Sequence, residues 1–220
     1  MALVEFVTPL HTRTARDYLG RVNEHDKAES ARVARQWGRD YWDGDRRYGY
    51  GGYRYDGRWL PVAEAMAEHY GLKPGDRVLD VGCGKAFLLY EFTRAVPGIE
   101  VVGLDISTYA LENAKEEIRP MLRHGHAREL PFEDGSFDLV ISLATLHNLR
   151  LPDLVSAVRE IQRVGRRNRY IMVESYRNET EKVNLLYWQL TCESFLAPEE
   201  WDWVYEQAGY QGDVEYIYFE

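Results

Sequence analysis

Cysteine is scarce in this chain. Cys83 and Cys192 are too few for a disulfide framework or a zinc site. The six histidines are scattered and none forms an H-x-x-x-H pair, so no metal-ligand spacing is present and no metal is expected. No apolar run approaches the length needed to cross a bilayer. The N-terminus lacks a basic stretch leading into an apolar core; with no signal peptide visible, cytoplasmic residence is the expectation. Positive charge is in deficit too: 27 Lys and Arg stand against 36 Asp and Glu, a net charge of −9. That balance argues against a nucleic-acid or membrane partner, while leaving room for a local basic patch. No internal repeat is visible. What remains, 220 residues with 45% hydrophobic and 29% charged content, suits one sizeable α/β domain with a good core.

The most informative stretch is Val78-Leu79-Asp80-Val81-Gly82-Cys83-Gly84-Lys85-Ala86. A short apolar run ends in a glycine turn and a helical pattern follows, the strand–turn–helix opening of a nucleotide-binding domain. Glycine lets the backbone pass close to a ligand, and the helix start presents free N–H groups to it. A dinucleotide fingerprint would require glycine at position 87, where the chain has Phe87, and no Walker lysine–serine/threonine follows the turn. An NAD-dependent oxidoreductase is thereby disfavoured.

The stretch resembles motif I of class I S-adenosylmethionine (SAM)-dependent methyltransferases, in which Ala86 replaces the usual third glycine. A helical Ala86 with negative φ would make this a minor departure. Gly103-Leu104-Asp105-Ile106-Ser107 is similar to motif II, with Asp105 at the end of the second strand and Ser107 as a helix N-cap. Gly125-His126-Ala127 departs from the family's Gly-Asp-Ala; a neutral imidazole nitrogen could still accept from an adenine amine. Phe137 to Ser142, followed by Leu146-His147-Asn148-Leu149, resembles the family's fourth strand and the segment after it. The resemblance implies SAM, with S-adenosylhomocysteine (SAH) as product, and assigns it to Asp80, Gly82, Cys83, Gly84, Asp105, Ile106, His126, Ala127 and Leu143.

It also implies an α/β fold: a Rossmann-like, doubly wound, mostly parallel sheet of about seven strands with helices on both faces. The whole chain, 1–220, reads as one methyltransferase domain, with an N-terminal helix and lid over 1–60 and the SAM-binding core over 61–220. The family ends in two antiparallel strands, but only 11 residues follow Gly209, enough for one. Thr191 to Phe195 could supply the other edge, or one strand is missing.

Tyr41 to Trp59 uses only five residue types, Tyr, Trp, Asp, Gly and Arg, and has neither helical nor strand period. Three readings compete: an RNA-binding low-complexity segment, a structural loop over a sheet edge, and an active-site lid. The lid reading is favoured, because aromatic faces attract a sulfonium and Arg54 or Arg58 could meet a carboxylate.

Methyl transfer needs positioning above all, and a general base adds to it. His147 and Glu174 are the catalytic candidates at the ends of strands four and five. Tyr53, Arg58, Tyr176 and Arg177 are candidates for holding the acceptor. The expected function is methyl transfer from SAM to O or N of a small soluble metabolite, such as a sugar or nucleotide-sugar. The alternative is a non-catalytic SAM- or SAH-binding regulatory or partner protein on the same fold. A neighbouring subunit could complete the lid, which leaves a homodimer open.

Overall fold

The computed structural model describes residues 1–14 and 16–220. Among the described residues before 60 are four short helices, α1 (Thr8–His11), α2 (Tyr18–Asn23), α3 (Lys27–Ala34) and α4 (Arg39–Asp43). Asp26 caps α3 by accepting from the Glu29 N–H at 2.9 Å. The segment 41–59, expected to lack regular structure, contributes the last turn of α4 and a 3₁₀ turn at Arg46–Tyr48.

Next comes α5 (Leu60–Tyr70), which has proline in its first turn and ends at Gly71 in the left-handed conformation. The α/β alternation follows: β1 (Arg77–Val81), α6 (Phe87–Ala95), β2 (Glu100–Asp105), α7 (Thr108–Glu112) and β3 (Leu122–His124). The second half is β4 (Phe137–Leu143), α8 (Leu151–Val164), β5 (Gly165–Glu174), α9 (Glu179–Trp188), α10 (Pro198–Ala208) and β6 (Asp213–Ile217).

The strands form one sheet in the order β3-β2-β1-β4-β5-β6, and every pairing is parallel. Side chains alternate across it. Val78 packs on one face with Met66, Leu89 and Phe92; Leu79 and Val81 pack on the other with Leu154, Val158 and Trp201. Helices α5 and α6 therefore cover one face, and α8 and α10 the other. The strand order reverses between β1 and β4, which opens a crevice at their carboxyl ends.

Six strands are present among the described residues, one fewer than expected. Thr191–Phe195 forms no strand, and β6 pairs directly with β5. The far side of β6 is met by the N-terminal segment, where Leu3 bridges Val214 in parallel. A carboxylate fastens this segment. Glu215, fully buried, accepts from the N–H groups of Phe6 (2.8 Å), Val7 (2.9 Å) and Thr8 (2.5 Å), and from the hydroxyls of Thr8 and Tyr170. Those donors answer the cost of burying its charge.

Candidate active site

Two chambers meet at the carboxyl ends of the strands. The first, about 370 Å³, is lined by Gly82 from the glycine turn, by Asp105 and Ile106 after β2, by His126 and Ala127, and by Leu143 at the end of β4. The second, about 510 Å³, is lined by Tyr53, Arg54 and Arg58, by Glu174 at the end of β5, and by α1, α2 and α9. Tyr41, Tyr50, Ala144 and Thr191 wall both.

The glycine turn is tightly built. Gly82 and Gly84 have φ of +88° and +54°, and a Cβ at either position would overlap a neighbour. At Gly82 the neighbour is Thr145; at Gly84 it is the indole of Trp42, 2.6 Å from an ideal Cβ. Ala86 is a correction: it has φ +55° and sits ahead of α6 in the left-handed conformation, not within the helix. It keeps the backbone shape that the missing glycine would adopt, at a cost of about 1–2 kcal/mol.

Asp105 is buried. Its two carboxylate oxygens accept from the Gly84 N–H and the Ser107 N–H, both at 2.7 Å. Each oxygen keeps lone-pair capacity toward the first chamber. Behind it, Asp80 is 4% exposed, and its Oδ1 has no hydrogen-bond partner among the described residues. Burial, with Asp105 close by, pushes the Asp80 carboxyl up to about 8. Asp80, Cys83 and Gly84 support the chamber from beneath and are not part of its wall.

Ile106 offers an exposed apolar face. At His126, Nδ1 accepts from the Arg128 N–H at 3.2 Å, and desolvation lowers the ring's pKa. The neutral ring therefore carries its proton on Nε2, which leaves a free donor where the sequence suggested an accepting nitrogen.

His147 is also displaced from its expected place. It is 2% exposed, lines neither chamber, and is driven down to about 3 by burial. Its Nδ1 accepts from the Glu174 N–H at 3.4 Å, and its Nε2 lies 3.5 Å from Glu174 Oε2. A neutral ring with its proton on Nε2 thus backs Glu174 from behind. Glu174 does reach the second chamber, and Gln189 donates to it. Burial raises the Glu174 carboxyl to about 8, against the opposing pull of Gln189 and Arg16.

Tyr53 and Arg58 line the second chamber. The Tyr53 ring stacks on Phe87 at 5.1 Å, its hydroxyl accepts from Trp59 Nε1 at 3.0 Å, and Arg58 pairs with Asp56. Tyr176 and Arg177 line neither chamber, because Arg177 is drawn to Glu181 and Glu220. Sequence reasoning missed Thr145 and Asn148, both in the wall of the first chamber; Asn148 Oδ1 is buried without a partner among the described residues. Their one sequence signal was position, immediately after β4.

The methyltransferase domain family matches residues 72–209. The chain is 41% identical over 100 residues to a demethylmenaquinone methyltransferase of Bacillus cytotoxicus, and 42% identical over 99 residues to one of Staphylococcus aureus. These matches cover 42% and 43% of this chain, and only 41% and 40% of the relatives' own lengths. Among solved structures, YcgJ of Bacillus subtilis aligns with a TM-score of 0.56 at 23% identity, over 70% of this chain and 68% of that one. The [4+2]-cyclase SpnF aligns with a TM-score of 0.52 at 23% identity, over 71% of this chain and 61% of that one. The structural likenesses show the fold alone.

Proposed function

The chain belongs to the class I SAM-dependent methyltransferase family, and on that premise we propose that it methylates a small, ring-bearing acceptor held in the second chamber. The observation that carries this reading is the meeting of the two chambers at Tyr41, Tyr50, Ala144 and Thr191. One chamber is lined by motif residues suited to the donor, and the other by a carboxylate with a raised pKa.

The first chamber fits SAM on its own chemistry. Asp105 accepts from the ribose hydroxyls, and Ile106 and Ala127 give adenine apolar contact. His126 Nε2–H donates toward a ring nitrogen. The Asp80 carboxyl beneath the chamber, its Oδ1 unpartnered among the described residues, favours a cation above it, which the ammonium of the amino-acid portion would supply. When bound, SAM supplies an electrophilic methyl group.

The aromatic walls of Tyr41, Tyr50 and Tyr53 exclude water and align the acceptor. Glu174 takes the proton that the acceptor loses. Its raised pKa matches a weakly acidic hydroxyl or amine near neutrality, and His147 holds the carboxylate in position.

The relatives are named for demethylmenaquinone, a quinone, which supports a ring-bearing acceptor over a sugar or nucleotide-sugar. Being named as enzymes, they also disfavour the non-catalytic alternative. The test is SAH release from SAM with a panel of soluble hydroxynaphthalenes. Release that depends on acceptor and is lost in Asp105→Ala supports the reading. No release with any acceptor, together with no binding of SAH, removes it.

A further inference from the structure

The protein carries nine more negative than positive charges, yet five arginines line the second chamber against two carboxylates, Asp56 and Glu174. Asp56 is taken by Arg58. Among the described residues, no carboxylate forms an ion pair with Arg16, Arg21, Arg46 or Arg54; the nearby Arg47 and Arg58 both have aspartate partners.

Three of these guanidiniums gather round a single ring. The Cζ atoms of Arg16, Arg21 and Arg46 lie 5.5, 4.7 and 5.1 Å from the Trp188 ring centroid. Their hydrogen bonds go to neutral groups. Arg16 donates to the carbonyls of His11 and Thr14 and bonds the His11 ring, Arg21 donates to the carbonyls of Trp188 and Arg46, and Arg46 donates to the carbonyl of Gly49. Arg16 Nε is buried without a partner among the described residues.

A stack on indole offsets part of the mutual repulsion of three cations, but supplies no counter-charge. The repulsion is felt: burial, with Arg46 acting in the same direction, lowers Arg21 to about 10. Guanidiniums form charge-assisted, often bidentate hydrogen bonds with planar carboxylates and with phosphates. The geometry is therefore one in which binding an anion relieves a standing electrostatic cost.

We propose that the acceptor bears an oxyanion, carboxylate or phosphate, seated on Arg16, Arg21 and Arg46 around Trp188, with its reacting group directed at Glu174. This rests on the reading of the second chamber as the acceptor site, and it narrows that ring-bearing acceptor to one that carries an anionic group.

The experiment is calorimetric titration of wild type, with and without saturating SAH, using three probes that share one ring system: naphthoate, naphthyl phosphate and naphthol. At least one anion should bind about tenfold or more tightly than naphthol, and the tighter of the two identifies the oxyanion. Arg46→Met lies on an exposed turn and should leave the fold intact. In that variant, and in Arg21→Met, the anion's advantage should disappear while naphthol binding persists. Added salt should weaken the anion selectively. Naphthol binding as tightly as both anions overturns the inference, as does an anion preference that survives both variants or a lack of measurable binding by either anion. Failure of SAH to bind would be a separate result, against the methyltransferase reading, because the anion preference is also read without SAH.

Discussion

The ammonium of Lys85 lies 2.8 and 2.7 Å from the two carboxylate oxygens of Asp43, and 2.8 Å from the carbonyl of Tyr53. Lys85 belongs to the glycine turn, and Asp43 and Tyr53 to the aromatic segment. The pair therefore ties that segment to the motif it covers. Tyr109 of α7 adds its hydroxyl to Asp43 at 2.8 Å, and Trp42 donates to Ser107 at 2.9 Å.

The Lys85 side chain is 5% exposed, so removing its partner leaves a buried cation. Asp43→Asn should destabilise the protein by about 3 kcal/mol and speed proteolysis within residues 41–59. The double variant Asp43→Leu/Lys85→Met should recover most of that loss, because burying neither charge is cheaper than burying one. Denaturant unfolding of both variants checks this; a single variant with unchanged stability would show that the pair does not hold the segment down.

With Glu174 as the proposed base, the pH dependence of turnover follows its carboxyl. With its carboxyl raised to about 8, the ionised base is a minority at pH 7, and kcat/KM should rise with pH and level off above about 8. Glu174→Gln should remove that rise and lower kcat by about 10²–10⁴-fold. His147→Asn leaves Glu174 in place but disturbs its backing, so the rise should shift along the pH axis. A profile that keeps its shape in Glu174→Gln would mean that another group takes the proton.

The same shift governs stability in the ligand-free protein. Glu174 and Asp80 hold protons more tightly folded than unfolded, since both are raised to about 8 from ordinary values of 4.5 and 3.8. Their contribution is complete below pH 4 and is lost as pH rises through 8. His147, depressed from 6.5 to about 3, works in the opposite sense, but only below pH 6.5. Lys27, depressed from 10.5 to about 8, adds stability with rising pH from about 8 upward. Between about pH 6.5 and 7.5 the acids dominate, and stability should fall with pH. Denaturant melts across that window should show a shallower slope in Glu174→Gln than in wild type.

With SAM in the first chamber as proposed, Asp80 beneath it should couple cofactor binding to protons. Raised to about 8, it is mostly protonated at pH 7, and an arriving ammonium favours its ionised form. SAH binding at pH 7 should release a fraction of a proton, read from calorimetry in buffers of different ionisation enthalpy. Asp80→Asn should abolish the release. Buffer-independent heats in wild type would contradict this role.

The sheet was legible because its signals are local. The short apolar run at Val78–Val81 before its glycine turn, the capping by Asp26 and Ser107, and the glycines at 71 and 209 each specify an element within a few residues. The edge was less legible. Nothing in the sequence near Glu215 reveals that its carboxylate will collect the N–H groups of residues 6–8, more than 200 positions away.

The site divides in the same way. Asp105, Ile106 and Ala127 follow from motif positions, whereas depth decides that Glu174 reaches a chamber and His147 does not. A histidine just after a strand is a plausible base by sequence, yet here the 3₁₀ turn at Leu146–Asn148 buries it. Arg16, Arg21 and Arg46 were invisible for another reason: it is α9 that delivers Trp188 between them. Tyr176 and Arg177 were expected in the site by proximity to β5, but Glu181 and Glu220 draw the arginine away.

The most direct test of the account is calorimetric titration of the purified protein with SAH, with Asp105→Ala alongside. Micromolar binding by wild type, weakened at least about tenfold in the variant, is the expected result, because a charged carboxylate accepting from ribose hydroxyls is a charge-assisted contact. No binding by well-folded wild type, or equal binding by the variant, would contradict the assignment of the first chamber to SAM.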